Sequence, residues 1–346
     1  MRIAYIITGL ARGGAEAQLA TVSKHLSANH DVAIFSIANN RDLIKRFEGV
    51  EVNYFPLTKI ANLYHLYKAL CKFKPDVLHS HMIHSNILSP IYAKLMSVPC
   101  FITSHNTNEG NKMRFEVLKI LVKIFKPHVS HVSNKGRLNY LEQGFLEPIE
   151  LYTNPVSLEK FSLGNTKRNH QVKWINIASL TDQKRHDRLL KVLKKYLVNY
   201  PEDILQIVGS GKNFAKIKML IEEYNLHDNV IMLGPRDDIN LLLNESDYFV
   251  LSSDWEGLPV SVIESLSSNV PVVSTDCGDI SSVVTEGVNG YLAKIGEREL
   301  LEAMLKARKV DDLAYERLSE NSNKSVQRFD VHNVVTLLEE LYRSKC

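Results

Sequence analysis

Cysteine is scarce in this chain of 346 residues and never falls at metal-ligand spacing: Cys71, Cys100, Cys277 and Cys346 are scattered, with no Cys-x-x-Cys among them. Neither a zinc knuckle nor a disulfide framework is indicated, and a reducing cytosol is the compartment that fits. No stretch approaches the ~20 apolar residues that cross a bilayer. The opening Met1-Arg-Ile-Ala-Tyr-Ile-Ile-Thr-Gly-Leu10 is too short an apolar run for a signal peptide and reads as a first buried strand. Repeats at a fixed period are missing as well, which argues against a solenoid. Asp-x-Asp is absent, so the chain has no carboxylate pair of the kind that holds a diphosphate through a metal ion. No metal and no cofactor are expected.

What is present describes a globular protein that buries a large core: 45% hydrophobic and 23% charged residues. The length exceeds one average domain, which makes two the natural expectation. A net charge of +3 hides an asymmetry, because residues 1–170 carry 21 Lys/Arg against 12 Asp/Glu and the remainder is net acidic. A basic half suits an anionic partner such as phosphate or a membrane surface, or is simply a solvated face. Nucleic acid is not among the expected partners.

Short β-rich runs alternate with helical patterns: Ile3–Ile7, Val32–Ser36, Val77–Ser80, Phe101–Ser104 and Val129–Ser133, then Lys173–Ala178, Leu205–Val208, Val230–Leu233, Tyr248–Leu251, Val270–Ser274 and Gly290–Ala293. Such alternation predicts parallel sheets covered by helices, hence an α/β fold of two Rossmann-like, doubly wound domains facing each other across a cleft. Residues 1–164 form the first and 171–328 the second, separated by the polar segment Gly164-Asn-Thr-Lys-Arg-Asn-His170. A C-terminal helix, within 329–346, is expected to return to the first domain.

The segment Ser253-Asp-Trp-Glu-Gly-Leu-Pro-Val-Ser-Val-Ile-Glu264 places two carboxylates eight positions apart around a Gly-Leu-Pro turn. A helix starting near Leu258, with Pro259 in its first turn, would turn free N–H groups and a positive dipole end toward a phosphate. Glu264 would then lie two turns in. Thr8-Gly-Leu-Ala-Arg-Gly-Gly-Ala-Glu16 joins the first strand to a helix ending near Leu26, and its adjacent glycines allow close backbone approach to a ligand or a tight structural turn. It is not a Walker A loop, and Gly209-Ser-Gly211 lacks the third glycine of a dinucleotide fingerprint. Ala178-Ser-Leu-Thr-Asp-Gln-Lys-Arg-His186 offers Lys184 and Arg185 at a strand-to-helix loop, where a cation neutralises a departing diphosphate. His79 and His81 share one face of a strand end, and His84 and His105 add to the cluster. Lys112–Lys126 is a basic, strongly apolar helix that either packs in the core with a Lys-lined outer face or lies on an anionic membrane.

The paired-glutamate segment, its continuation Ser265-Leu-Ser-Ser-Asn-Val-Pro-Val-Val-Ser-Thr-Asp-Cys-Gly278, and Gly13-Gly-Ala-Glu16 resemble the family-4 retaining glycosyltransferases, which have the two-Rossmann-domain GT-B fold. The resemblance covers almost the whole chain. It implies that Glu264 binds the ribose hydroxyls of a nucleotide-sugar, that Glu256 lies by the transferred sugar, and that His105, more than His81, faces that sugar. It puts Gly13 and Gly14 under the donor phosphates, Lys184 at the diphosphate, and Gly209, Gly234 and Arg236 in the donor loops. Gly257, Leu258 and Pro259 contribute backbone around the same phosphates. Ser179 stands where the family has Arg, with Arg185 the nearest replacement.

The implied activity is metal-independent transfer of a hexose or N-acetylhexosamine, UDP favoured as nucleotide, to a saccharide or polyprenyl-linked acceptor of bacterial polysaccharide or lipopolysaccharide synthesis. The expected location is the cytoplasm, at the inner face of the membrane if 112–126 docks there. Two other readings stand beside it: a nucleotide-sugar 2-epimerase on the same fold, and an inactive donor-binding scaffold.

Overall fold

The computed structural model describes residues 1–11, 13–105, 112–146, 148–161, 168 and 170–345. Most of the proposed 164–170 linker lies outside the described residues, as do Arg12 of the first glycine loop and Asn106 and Thr107 beyond His105. The chain divides into two compact units, Met1–Val156 with Phe329–Cys346, and Ser157–Arg328. Leu158–Phe161 therefore belongs to the second unit, although the sequence expectation ran the first domain to 164.

In the first unit, seven parallel strands form one sheet: β1 (Arg2–Ile7), β2 (Asp31–Ser36), β3 (Glu51–Tyr54), β4 (Val77–His81), β5 (Cys100–Ser104), β6 (His128–His131) and β7 (Ile149–Leu151), in the order β3-β2-β1-β4-β5-β6-β7. The helices are α1 (Gly14–Leu26), α2 (Ala61–Phe73), α3 (Ile83–Met96), α4 (Lys112–Phe125) and α5 (Asn134–Glu142). β1 is apolar beyond Arg2 because both of its faces are covered. Ile3, Tyr5 and Ile7 pack with Leu19 and Leu26 of α1 and with Leu338 and Tyr342 of the last helix, whereas Ala4 and Ile6 pack with Leu66, Leu70 and Leu118. Burying each large side chain contributes about 1.5–3 kcal/mol.

The second unit repeats the plan with six parallel strands, β8 (Lys173–Ile177), β9 (Ile204–Val208), β10 (Val230–Gly234), β11 (Tyr248–Leu251), β12 (Val272–Thr275) and β13 (Gly290–Ala293), ordered β10-β9-β8-β11-β12-β13. Its helices are α6 (Leu158–Phe161), α7 (His186–Tyr196), α8 (Phe214–Glu223), α9 (Ile239–Asn244), α10 (Val260–Ser267), α11 (Glu297–Lys309) and α12 (Asp312–Ser325). Trp174 of β8 stacks on Tyr248 of β11 at 4.9 Å and anchors the core. The last helix, α13 (Val331–Arg343), opens on Asp330, whose carboxylate accepts the His332 N–H, and packs on α1 of the first unit.

Each sheet grows outward from its first strand in one direction, then resumes on that strand's other side: β4 beside β1, and β11 beside β8. Loops at the carboxyl ends of strands diverge at such a reversal and leave a crevice there. That single feature of topology decides which residues meet.

Candidate active site

The reversal in the second unit brings the loop after β8 against the loop after β11. Lys184 Nζ lies 2.5 Å from Glu256 Oε1, with the Glu256 side chain 6% exposed and that of Lys184 15%. Between them Gln183 ties the loops together: its amide donates to the Trp255 carbonyl at 2.6 Å and reaches Glu256 Oε2 at 3.4 Å, while its own carbonyl accepts the Asp254 N–H at 3.0 Å. Ser252 Oγ donates to the carbonyls of Lys184 and Arg185. The loop after β12 closes the other side. Gly278 has φ +61°, and a β-carbon there would come within 2.4 Å of the Glu256 and Gly257 carbonyl oxygens, so the close approach requires glycine.

Arg185 is arranged differently from what the sequence suggested. Its backbone is left-handed at φ 50°, and its guanidinium engages Asp187 and, at 2.8 Å, Asp254. Arg188 holds the other oxygen of Asp254 and also donates to the Ser252 carbonyl. Burial opposes ionisation of Asp254, but Arg185 and Arg188 outweigh it and hold its carboxyl below the usual range. Arg185 is thus committed to the frame beneath the loops rather than standing as a second cation beside Lys184. His186 is buried against Asn176 at 2.9 Å, and burial with the Lys184 charge lowers its imidazole to about 4.

Helix α10 begins at Val260, two residues later than the sequence suggests, because Pro259 keeps an extended ψ of 129° and precedes the first turn. Leu258 is buried and anchors that turn. Glu264 lies half-buried on the second turn. The first amides of α10 supply the positive end expected from the turn sequence.

The remaining glycines have distinct reasons to be glycine. Gly209 has φ +144°, and a β-carbon there would meet the Ala178 carbonyl oxygen at 2.0 Å; its N–H donates to the Gly234 carbonyl. Ser179 therefore sits in a loop stitched to its neighbour, Leu180 N–H also donating to the Ser210 carbonyl. Gly234 turns at φ +65° with open space around it, and Arg236 just beyond is exposed and paired with Asp238.

In the first unit the loop after β1 carries Gly13 and Gly14. Gly13 caps α1 with extended backbone, and its N–H is already donated to the Ala11 carbonyl. A β-carbon on Gly13 would strike the Glu16 carboxylate at 2.3 Å, because that buried side chain folds back over the helix start. Gly14, the first helical residue, is exposed. Burial pushes the Glu16 carboxyl up to about 7, although the Glu16 N–H, donating to it, favours the ionised form.

Four imidazoles, those of His79, His81, His105 and His131, lie along or just beyond β4, β5 and β6. His79 and His81 stack at 4.6 Å, and His81 Nδ1 lies 2.8 Å from His105 Nε2. His79 is held by the Tyr342 hydroxyl at 2.5 Å and that of Thr103 at 2.7 Å, and Tyr342 in turn pairs with Tyr5 at 2.9 Å. Among the described residues, no three His, Cys, Asp or Glu converge as a metal site. Sequence reasoning missed Gln183, Arg188 and the Tyr5–Tyr342–His79 chain; only the topology brings these together.

The chain is thus an α/β protein of two Rossmann-like parallel-sheet units, one carrying a cation and a carboxylate at its strand reversal. A family model described as "Glycosyl transferases group 1" matches residues 159–325, and one described as "Glycosyltransferase Family 4" matches residues 12–160. The chain belongs to glycosyltransferase family 4 and is a glycosyltransferase. It is 27% identical over 306 residues to an Escherichia coli UDP-Gal:alpha-D-GlcNAc-diphosphoundecaprenol alpha-1,3-galactosyltransferase, covering 81% of this chain and 78% of that protein. It is 24% identical to the capsular polysaccharide biosynthesis glycosyltransferase CapH of Staphylococcus aureus, covering 100% and 99%. Among solved structures, Anabaena Alr3699/HepE in complex with UDP-glucose superposes with a TM-score of 0.88 at 18% identity, covering 99% of this chain and 100% of that one, a likeness of GT-B fold.

Proposed function

We propose that this enzyme moves a hexose or N-acetylhexosamine from a UDP-sugar to a saccharide carried on a polyprenyl diphosphate, during synthesis of a bacterial surface polysaccharide, with retention of anomeric configuration. The observation that carries the reading is the Lys184–Glu256 pair set between Gln183 and Gly278 beside the N-terminus of α10. The names of the Escherichia coli and Staphylococcus aureus relatives support the pathway, and family membership supports retention.

In this reading Glu264 holds the ribose hydroxyls, and Lys184 with the first amides of α10 receives the diphosphate. The bond between the anomeric carbon and the diphosphate oxygen breaks with its electron pair going to that oxygen. The acceptor oxygen joins the anomeric carbon from the same face, and the acceptor's proton passes to the departing phosphate. Such a reaction needs stabilisation of the leaving group more than a strong protein base. Glu256 and His105 are assigned to the transferred sugar.

Docking on an anionic membrane through α4 belongs to the same proposal. Phe115, Leu118 and Val122 of α4 are buried, while Met113, Val117, Ile120 and Ile124 form an exposed apolar stripe along the opposite side. Apolar residues flanked by lysines are the composition of a helix lying at a lipid interface. No helix among the described residues is long and apolar enough to cross a membrane.

Release of nucleoside diphosphate from a panel of UDP-, GDP- and ADP-sugars, with and without a polyprenyl-diphosphate-linked saccharide and in the presence of EDTA, tests the reading. Acceptor-dependent release from a UDP-sugar that survives EDTA is expected. Acceptor-independent release of UDP, or dependence on added manganese, would overturn the corresponding part.

A further inference from the structure

His81 has one ring nitrogen engaged and one isolated. Its Nδ1 lies 2.8 Å from His105 Nε2, while its Nε2 is buried with no hydrogen-bond partner among the described residues. The ring packs among His79, Tyr5 and Tyr152, with centroids 4.6, 5.6 and 6.3 Å away. Burial holds the imidazoles of His81 and His105 well below the usual histidine range, each also opposed by the other's charge or by that of a neighbouring histidine. Both rings are therefore neutral, and a single proton lies between the two nitrogens.

Two arrangements satisfy that contact. If His105 donated through Nε2–H, the proton of His81 would have to sit on its own Nε2, leaving a buried N–H without an acceptor. If His81 donates through Nδ1–H, its Nε2 is a bare lone pair instead. A buried N–H with no acceptor is the rarer and costlier defect, whereas an under-used acceptor is tolerated more often. The second arrangement wins, and it forces the proton of His105 onto Nδ1.

From this geometry we infer that His81 is a positioning residue which fixes His105 as the Nδ1–H tautomer, presenting a donor rather than an acceptor at its far nitrogen. The catalytic consequence rests on the proposed reading in which His105 meets the transferred sugar. A fixed Nδ1–H then supplies a hydrogen bond to a sugar oxygen, and a ring free to choose would offer the opposite polarity for part of the time. The tautomer a ring adopts is set by the partner of its other nitrogen, and for His105 that partner is His81.

Long-range proton–nitrogen correlation spectra of protein labelled with ¹⁵N-histidine read the tautomer directly. His105 is expected to show a protonated Nδ1 and an unprotonated Nε2 in the wild type, and to move toward the Nε2–H form in His81→Phe, which fills the space without a donor. His81→Asn, whose amide can donate near the place of Nδ1, should restore the wild-type pattern. In turnover assays His81→Phe should lower kcat by ~10-fold or more while leaving the dissociation constant for UDP unchanged, with partial recovery in His81→Asn. An Nε2–H signal for His105 in the wild-type spectrum overturns the inference without recourse to any variant, and so does full kcat in His81→Phe when His105→Ala is impaired. Should His105→Ala keep full activity while the spectra show the expected tautomer, the assignment of His105 to the sugar fails and the tautomer assignment stands.

Discussion

Lys184 Nζ and Glu256 Oε1 lie 2.5 Å apart across 72 positions of sequence. Each is shielded from water by the loops that Gln183 ties together. The cation proposed for the diphosphate is thus paired with a carboxylate of the chain itself. In the proposed reading a donor diphosphate competes with Glu256 for the charge of Lys184.

Removing one partner leaves the other as a shielded, unpaired charge. Lys184→Ala and Glu256→Ala should each destabilise the second unit by roughly 3–5 kcal/mol, and Lys184→Met with Glu256→Leu together by less than either alone. Urea unfolding measures this; additive losses in the double variant would show that the pair contributes nothing. In activity, Lys184→Ala should cost about 10²-fold in turnover, equivalent to ~3 kcal/mol, and much less in donor affinity, because the diphosphate charge grows toward the transition state. Equal and small losses in both would count against Lys184.

Much of this was legible in the sequence, for physical reasons that differ from element to element. Strands buried on both faces announce themselves as apolar runs, so β1 and β11 are found within a residue of their ends. The edge strands Glu51–Tyr54 and Ile149–Leu151 are not, being short and only partly covered. The start of α10 was misplaced because Pro259 is as comfortable in an extended conformation before a helix as within its first turn. The duty of Arg185 was hidden because its partner Asp254 lies 69 residues away. Local pattern indicates what a residue could do, and only the strand order shows what it is already bound to.

Glu264 on the second turn of α10 is proposed to hold the ribose. A charged hydrogen bond to a diol contributes roughly 1.5–3 kcal/mol, so Glu264→Ala should raise the dissociation constant for UDP at least ~10-fold by calorimetry. Unchanged affinity would remove Glu264 from the nucleotide.

Stability should depend on pH through Glu16. Its carboxyl, at about 7 in the folded protein, lies above the ordinary value of 4.5, so the folded state keeps a proton that the unfolded chain gives up. The contribution is complete below about pH 4.5 and is lost as pH rises through 7, a change on the order of 3 kcal/mol. Glu16→Gln should therefore gain on the wild type between about pH 5 and pH 8 in urea unfolding. Parallel pH profiles for the two proteins would contradict the buried, proton-holding state of Glu16.

The lysines of α4 and its end should not contribute equally to membrane docking. Lys119 is already bound to Glu116 at 2.7 Å and to the Gln143 carbonyl, so its charge is turned inward. At about 1 kcal/mol for each basic residue near an anionic surface, Lys123→Gln with Lys126→Gln should weaken liposome binding by roughly 10-fold or more, and Lys119→Gln by little. Co-sedimentation with phosphatidylglycerol vesicles at low salt decides it, and wild-type protein remaining in the supernatant would end the membrane reading.

The most direct test of the central claim is the anomeric configuration of the product, followed by proton NMR from the first turnover of an α-linked UDP-sugar with a polyprenyl-diphosphate-linked saccharide. The account predicts a new α-glycosidic bond on the acceptor and one UDP released for each bond made. A β-linked product, or UDP and an altered sugar appearing with no acceptor present, would contradict it.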